Sequence, residues 1–257
     1  MGIIMGKQPD NGQNGVSDWV FEYERSHSAN REYSYQEITS DANIFRRCLK
    51  SERFEIRTGD VSEPDRIRTD GIRERSEMAQ MEPRNYEEEK FWYGWSFFIP
   101  ANYVESGNAP GTSKTVAIAQ FHQEPCDHDA QWYPAFMFGK KYDGPFVLRV
   151  FPTHPTLAQA EIELLSQADF AGKWHDVVVE AMWSTRGNGY FHVWVDDVLK
   201  HKHIGPTMSK DNVSVYFKYG VYRPSTPKLP VTTVVYFDKP KRAKTRAEVD
   251  IRMLEKN

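Results

Sequence analysis

The chain has 257 residues, 39% of them hydrophobic and 27% charged, a usual globular composition apart from a high aromatic content of 14%. A formal net charge of −3 and a pI of about 6.3 exclude a global basic field, so non-specific nucleic-acid binding is not indicated and any polyanion site has to be a local cluster. No apolar run approaches the ~20 residues that cross a bilayer, and Cys48 and Cys126 are too few for a disulfide framework, although one bridge stays open.

Residues 1–16 read as a disordered lead-in without the apolar stretch of a signal peptide. Residues 17–257 show no repeat, linker or shift in composition and read as one domain. From Asp18, Trp19, Phe21 and Tyr23 alternate with Val20, Glu22 and Glu24 as a strand does. Helical signals are sparse: Ser40 to Leu49 reads as a short helix or turn, and Thr156 to Ala171 has a helical periodicity beside which an extended reading stays open. Elsewhere short β-like runs follow one another: Arg53 to Arg57, Arg73 to Met78, Phe91 to Ile99, Thr115 to Gln123, Ala135 to Phe138 and Phe146 to Phe151. Trp174 to Trp183, Gly189 to Val195, Ser214 to Tyr222, Thr232 to Phe237 and Glu248 to Leu254 complete the series. Arg186-Gly187-Asn188-Gly189 marks a hairpin and Asp196-Asp197 the next tight turn. Many short strands with Gly, Pro and Asn between them predict an all-β sandwich or β-jelly roll.

Three of these runs carry chemistry. Period-two geometry puts Val215, Phe217, Tyr219 and Val221 on one face and Tyr216, Lys218, Gly220 and Tyr222 on the other, a cation and two phenols beside a glycine that a ligand can approach. In Ala117 to Gln123 the same division puts Ile118, Gln120 and His122 opposite Ala117, Ala119 and Phe121. In Gly71 to Ala79 it groups Arg73, Arg75 and Glu77, so that Arg75 can bind a carboxylate bidentately while Glu77 orients it. The plain alternative for each strand is a solvated or structural face. The polar loop Glu124-Pro125-Cys126-Asp127-His128-Asp129 matches no zinc spacing.

In this order the segments resemble signature strands of jelly-roll polysaccharide lyases. Arg75-Ser76-Glu77-Met78 resembles Arg-Ser/Thr-Glu-Leu, Gln120-Phe121-His122 resembles Gln-Ile/Val-His, and Tyr216 to Tyr222 resembles Tyr-Phe-Lys-Ala-Gly-x-Tyr, all motifs of the family 7 alginate lyases. Arg53 to Arg57, Trp92 to Ser96 and Phe217 to Arg223 are similar to the broader glucuronan lyase and heparin lyase I group, over a stretch from about residue 18 to the C-terminus. Tyr219 stands where the alginate lyases have Ala, and Arg223-Pro224 where they have Asn-Gln, which turns the resemblance away from alginate. The resemblance implies a concanavalin-like jelly roll of two antiparallel sheets. It also implies cleavage of a uronic-acid-containing polysaccharide, glucuronan or a similar polyuronate, by β-elimination that leaves a 4,5-unsaturated uronosyl end.

The resemblance also implies roles. Arg75 and Gln120 contact the substrate carboxylate and stabilise the charge that develops when C5 loses its proton. Tyr222 protonates the leaving oxygen and, in a syn elimination, can also take the C5 proton; in an anti elimination the base is His122. Lys218, Glu77, Arg73, Tyr216 and Arg223 are expected to bind substrate, and Trp132, Tyr133 and Tyr142 to wall the groove. No cofactor is required, and Asp250 resembles a structural calcium ligand. The expected partner is an anionic polysaccharide, with no nucleic acid and no membrane, bound by a secreted or periplasmic monomer. A non-catalytic carbohydrate-binding module or a glycoside hydrolase on a similar sandwich is the competing reading. A retaining hydrolase needs two carboxylates ~5–5.5 Å apart, and no strand of the E-x-D-x-x-E type supplies them.

Overall fold

The computed structural model describes residues 22–25, 31–39, 44–47, 50–66, 72–104, 115–127, 132–153, 158–224 and 230–254. The lead-in 1–16, the beginning of the strand expected from Asp18, Cys48 with much of Ser40 to Leu49, and the loop residues His128 and Asp129 lie outside the described residues. Cys126 is exposed with a free thiol.

The described residues form fourteen strands: β1 Glu22–Arg25, β2 Tyr35–Ile38, β3 Ser51–Arg57, β4 Arg73–Glu82, β5 Lys90–Phe98, β6 Thr115–Pro125 and β7 Pro134–Lys141. Then come β8 Phe146–Val150, β9 Ala160–Leu165, β10 Trp174–Met182, β11 Tyr190–Val195, β12 Val198–Ile204, β13 Asn212–Pro224 and β14 Thr232–Ala243. All pairings are antiparallel. The first sheet runs β1-β4-β13-β6-β7-β8-β9 and the second β12-β11-β10-β5-β14-β3-β2, the two-layer architecture of a jelly roll. One-turn helices, α1 (Glu63–Arg66) and α2 (Ile251–Leu254), are the α-helices among the described residues.

Alternation builds the core. Each strand sends every second residue between the sheets, and the large ones are aromatic: Trp95 packs against Phe121, Phe138 and Phe217 with ring centroids 6.3, 5.1 and 5.0 Å away. Phe136 of the first sheet stacks on Phe191 of the second at 3.7 Å. Such pairs add about 0.5–1.5 kcal/mol each beyond the burial of their area.

Two glycines shape what lies outside the core. Gly220 has φ +130°, and a Cβ there would lie 2.3 Å from the Ser76 carbonyl oxygen and 2.8 Å from Glu77 Cα. Its freedom permits the irregularity at which Tyr219 and Tyr222 of β13 face Ala119 and Ala117 of β6, three residues against two. At Gly94 a Cβ would meet the Val249 carbonyl oxygen at 2.1 Å, so the C-terminal segment can lie directly on the second sheet.

Two local expectations differ from the structure, and one that stood open is decided by it. Glu248 to Leu254 is not a strand: a 3-10 turn at Arg246–Glu248, closed by a Thr245/Glu248 capping box, leads into α2, whose Met253 and Leu254 amides bond to the Asp250 carbonyl. Of Thr156 to Ala171, Ala160–Leu165 is strand β9, which is the extended reading. Ile118 faces the core and Ala117 the outer face, the reverse of the expected phase, because the β6–β7 register shifts between Ala117 and Ala119. The Asp196-Asp197 turn is present, with φ of 52° and 67°, and joins β11 to β12.

Candidate active site

Three adjacent strands of the first sheet, β4, β13 and β6, bring the motif residues to one outer face. Antiparallel register sets Tyr222 opposite Arg75 and Gly220 opposite Glu77. On the other flank Lys218 lies opposite Gln120 and Tyr216 opposite His122. Cross-strand partners share a face, so Arg75, Glu77, Lys218, Gln120, His122, Tyr216 and Tyr222 form one patch. Along β13, His122 lies level with Tyr216, Gln120 with Lys218, and Tyr222 beyond them. His122 and Tyr222 therefore flank the Lys218–Gln120 row.

Glu77 is the hub of this patch. It is 2% exposed, and its carboxylate takes the Lys218 ammonium at 3.0 Å, the Gln120 amide at 2.7 Å and an Arg75 N–H at 3.5 Å. Burial works against its charge. Lys218 and Arg75, with the hydrogen bonds from Lys218 and Gln120, outweigh burial and hold the carboxyl below the usual range. Lys218 is also buried, and desolvation pulls its ammonium below the ordinary lysine value despite Glu77. Arg75 bonds Asp65 of α1 bidentately, Nε and Nη2 donating at 2.7 and 2.6 Å, and its guanidinium lies 4.7 Å from the Tyr222 ring centroid. The Tyr222 hydroxyl oxygen accepts a 2.9 Å hydrogen bond from Arg73 Nε.

At the other end, His122 Nδ1 lies 3.1 Å from the carbonyl oxygen of Gln123 and 3.3 Å from the Tyr216 hydroxyl. A carbonyl only accepts, so this bond selects the tautomer with the proton on Nδ1 and makes Nε2 the acceptor nitrogen of the neutral ring. Burial raises the Tyr216 phenol above its ordinary value, against the nearby Arg84 guanidinium, so Tyr216 stays protonated. Trp132 is 40% exposed at the rim, its ring 6.5 Å from His122.

Several expected site residues lie elsewhere. Arg223 is not on the outer face: it alternates inward, is fully buried, and bonds Glu74 at 2.7 Å, Thr233 at 2.7 Å and the Val231 carbonyl at 3.1 Å. Asp250 accepts from Arg246 Nε at 2.9 Å and from the Arg252 backbone amide at 3.2 Å, which ties the C-terminal segment together. Among the described residues no group of three or more His, Cys, Asp or Glu side chains is placed to hold a metal ion. Tyr142 sits in the β7–β8 turn beyond Lys141, away from His122. Tyr133 is buried in a small cluster with Ala117, Met137 and Phe151, against which Tyr222 packs; it forms floor, not wall. Asp65 of α1, Arg84 over the Tyr216 ring and Arg149 of β8 lie at this face and were not read from the sequence. The only signal for Asp65 is an acidic residue ten positions before Arg75, which spacing rules do not recognise.

An outer sheet face that concentrates an amide, an imidazole, phenols and internally paired cations on a two-sheet jelly roll is the candidate active site. The polysaccharide lyase family matches residues 18–241, and the chain belongs to that family. Its fold is similar to that of an endo-β-1,4-glucuronan lyase from the fungus Trichoderma reesei, with a TM-score of 0.65 at 19% identity over 89% of this chain and 97% of that one. A family 7 alginate lyase, A1-II′, in complex with product matches with a TM-score of 0.60 at 12% identity, covering 84% of each chain. The alginate lyase PA1167 from Pseudomonas aeruginosa matches at 0.53 and 15% identity over 84% of this chain and 87% of that one. None of the curated proteins matches the sequence. The chain is thus an enzyme, a polysaccharide lyase. No helix among the described residues is long and apolar enough to cross a membrane.

Proposed function

We propose that the enzyme cleaves glucuronan or a polyuronate of like configuration, with His122 Nε2 as base and Tyr222 as acid. The observation that carries this reading is that both residues rise from the same sheet face and flank the Lys218–Gln120 row, so that a sugar whose ring lies flat on that row turns one ring face to both. Gluco- and manno-configured uronates have the C5 hydrogen and the C4 oxygen on the same side of the ring, which suits a syn elimination.

The carboxylate of that sugar sits against the second amide N–H of Gln120 and the outer N–H groups of Arg75. His122 Nε2 takes the C5 proton, and the electron pair left on C5 is shared with the carboxylate. As the C4–O bond breaks the pair closes the C4–C5 double bond, and the leaving oxygen takes the Tyr222 proton. The two carboxylates beside Arg75, Asp65 and Glu77, are each bound to a cation, which disfavours a hydrolase. A panel of glucuronan, mannuronan, polyguluronate and polygalacturonate, followed by the ultraviolet absorbance of the new double bond, tests this. Fastest cleavage of glucuronan or mannuronan is expected. Activity confined to the other two, or none on folded protein, overturns it.

A further inference from the structure

The outer face of the first sheet carries a second arginine that the elimination does not use. On β8, Arg149 pairs with Met137 of β7 and Glu161 of β9, so one row of the face reads Lys218, Gln120, Met137, Arg149 from β13 to β8. Three interstrand steps of about 4.8 Å put Arg149 roughly 14 Å from Lys218, about three sugar lengths. The space between has an apolar floor of Ala117, Met137 and Phe151, continuous with Tyr222. The Arg149 guanidinium lies over the Phe151 ring at 4.8 Å, a cation–π contact that fixes the fork beside this floor.

The charge of Arg149 is only partly met within the protein. Arg75 makes two short bonds to Asp65, whereas Arg149 Nε lies 3.4 Å from Glu161 and, though buried, has no hydrogen-bond partner among the described residues. Glu161 is shared with Lys141, and Glu163, the next acid on this face of β9, is exposed opposite Val147. Burial lowers the pKa of the Arg149 guanidinium and Glu161 only partly offsets this. A partly desolvated guanidinium whose Nε is turned in toward Glu161 and whose outer nitrogens make no hydrogen bond among the described residues, beside a floor of apolar side chains, fits a pyranose that carries a carboxylate: ring on the floor, carboxylate on the outer edge of the fork.

We infer that Arg149 is a second carboxylate-binding site, which holds a uronate residue of the same chain about three sugars from the bond being cut. The inference rests on the polyuronate reading of the site. The test compares Arg149→Gln and Arg149→Lys with the wild type on polymer and on a trisaccharide, which cannot be cut and reach Arg149 at once. Loss of a charge-assisted pair predicts a KM for polymer raised on the order of tenfold in Arg149→Gln. Its kcat should stay within about twofold and its trisaccharide kinetics unchanged, with part of the loss restored in Arg149→Lys. An unchanged polymer KM, or an equal change on the trisaccharide, overturns the inference. Retardation in a gel containing the polymer reads the same contact without turnover. A wild type that cuts and binds polymer while Arg149→Gln behaves identically sinks the Arg149 site alone. A wild type that neither cuts nor is retarded by any uronate polymer sinks both readings.

Discussion

Replacing Glu77 by Gln keeps the shape of the side chain and removes the one negative charge on which Lys218, Arg75 and Gln120 converge. Lys218 is buried, so the variant leaves an ammonium without its carboxylate, a loss of about 3–5 kcal/mol for broken buried pairs. For a domain of this size, at about 2–4 °C per kcal/mol, the melting temperature should fall by roughly 6–20 °C. The pH dependence carries a sign. The Glu77 carboxyl sits below its ordinary 4.5, so its contribution is complete above that value and is lost as pH falls through the lower folded-state value. Burial puts Lys218 below its ordinary 10.5, so its charged form costs stability at neutral pH, and the cost fades as pH rises from the folded-state value toward 10.5. The deficit of Glu77→Gln should therefore be greatest near neutrality, shrinking in acid, where the wild type also loses the charge, and in alkali, where Lys218 sheds its proton. Melting curves by circular dichroism at acidic, neutral and alkaline pH read it, and Lys218→Met in the Glu77→Gln background should recover most of the loss. A deficit that is flat with pH and survives Lys218→Met would refute the reasoning.

Tyr222→Phe removes a hydroxyl at the partly exposed end of the site and keeps the ring on Arg75; kcat should fall about 10²–10⁴-fold in the absorbance assay with melting nearly unchanged. Arg223→Met should behave in the opposite way, costing about 3–5 kcal/mol in denaturant unfolding because Glu74 loses its buried partner, while KM of the folded enzyme stays the same. On the site face Arg73, Arg75 and Lys218 outnumber Asp65 and Glu77, so KM for polymer should rise with salt as the Debye length shrinks from ~10 Å at 0.1 M to ~3 Å at 1 M. A KM indifferent to salt would argue against a charged substrate on this face.

The strands were legible wherever one face is apolar and the other is not. Val215, Phe217, Tyr219 and Val221 all enter the core, which places Tyr216, Lys218 and Tyr222 outside without further information. The same rule gave the wrong phase at Ala117 and Ile118, because a register irregularity is set by the neighbouring strand and leaves no mark in a run of small and aliphatic residues. Arg223 was misplaced for a related reason. Alternation along β13 already puts it inward with Val221, yet a charged residue is expected outside unless its partner is known, and that partner is Glu74 of β4, 149 positions earlier. The C-terminal segment read as a strand because its alternation is real. It is applied to the surface of a sheet already hydrogen-bonded on both sides, and Gly94 lets it approach.

Asp65 has a larger consequence, because it changes what Arg75 can do. Motif and spacing present Arg75 as a fork open to a substrate carboxylate, but Nε and Nη2 are spent on Asp65 and Nη1 contributes to Glu77. Three of five N–H groups are thus used inside the protein. Asp65 and Glu77 raise the guanidinium pKa against the burial that would lower it, so its charge is secure while most of its hydrogen-bonding capacity is taken. In the proposed reaction a guanidinium held this way would act at the substrate mainly through its field and its two outer N–H groups, and the directional contact would pass to Gln120, whose amide is held by Glu77 through one hydrogen and keeps the other. The arrangement fits a reaction in which negative charge grows on the carboxylate. Donors fixed before the charge appears need not reorganise when it does: Lys218 and Gln120 are held by the Glu77 carboxylate, and Arg75 by Asp65 with Glu77 beside it.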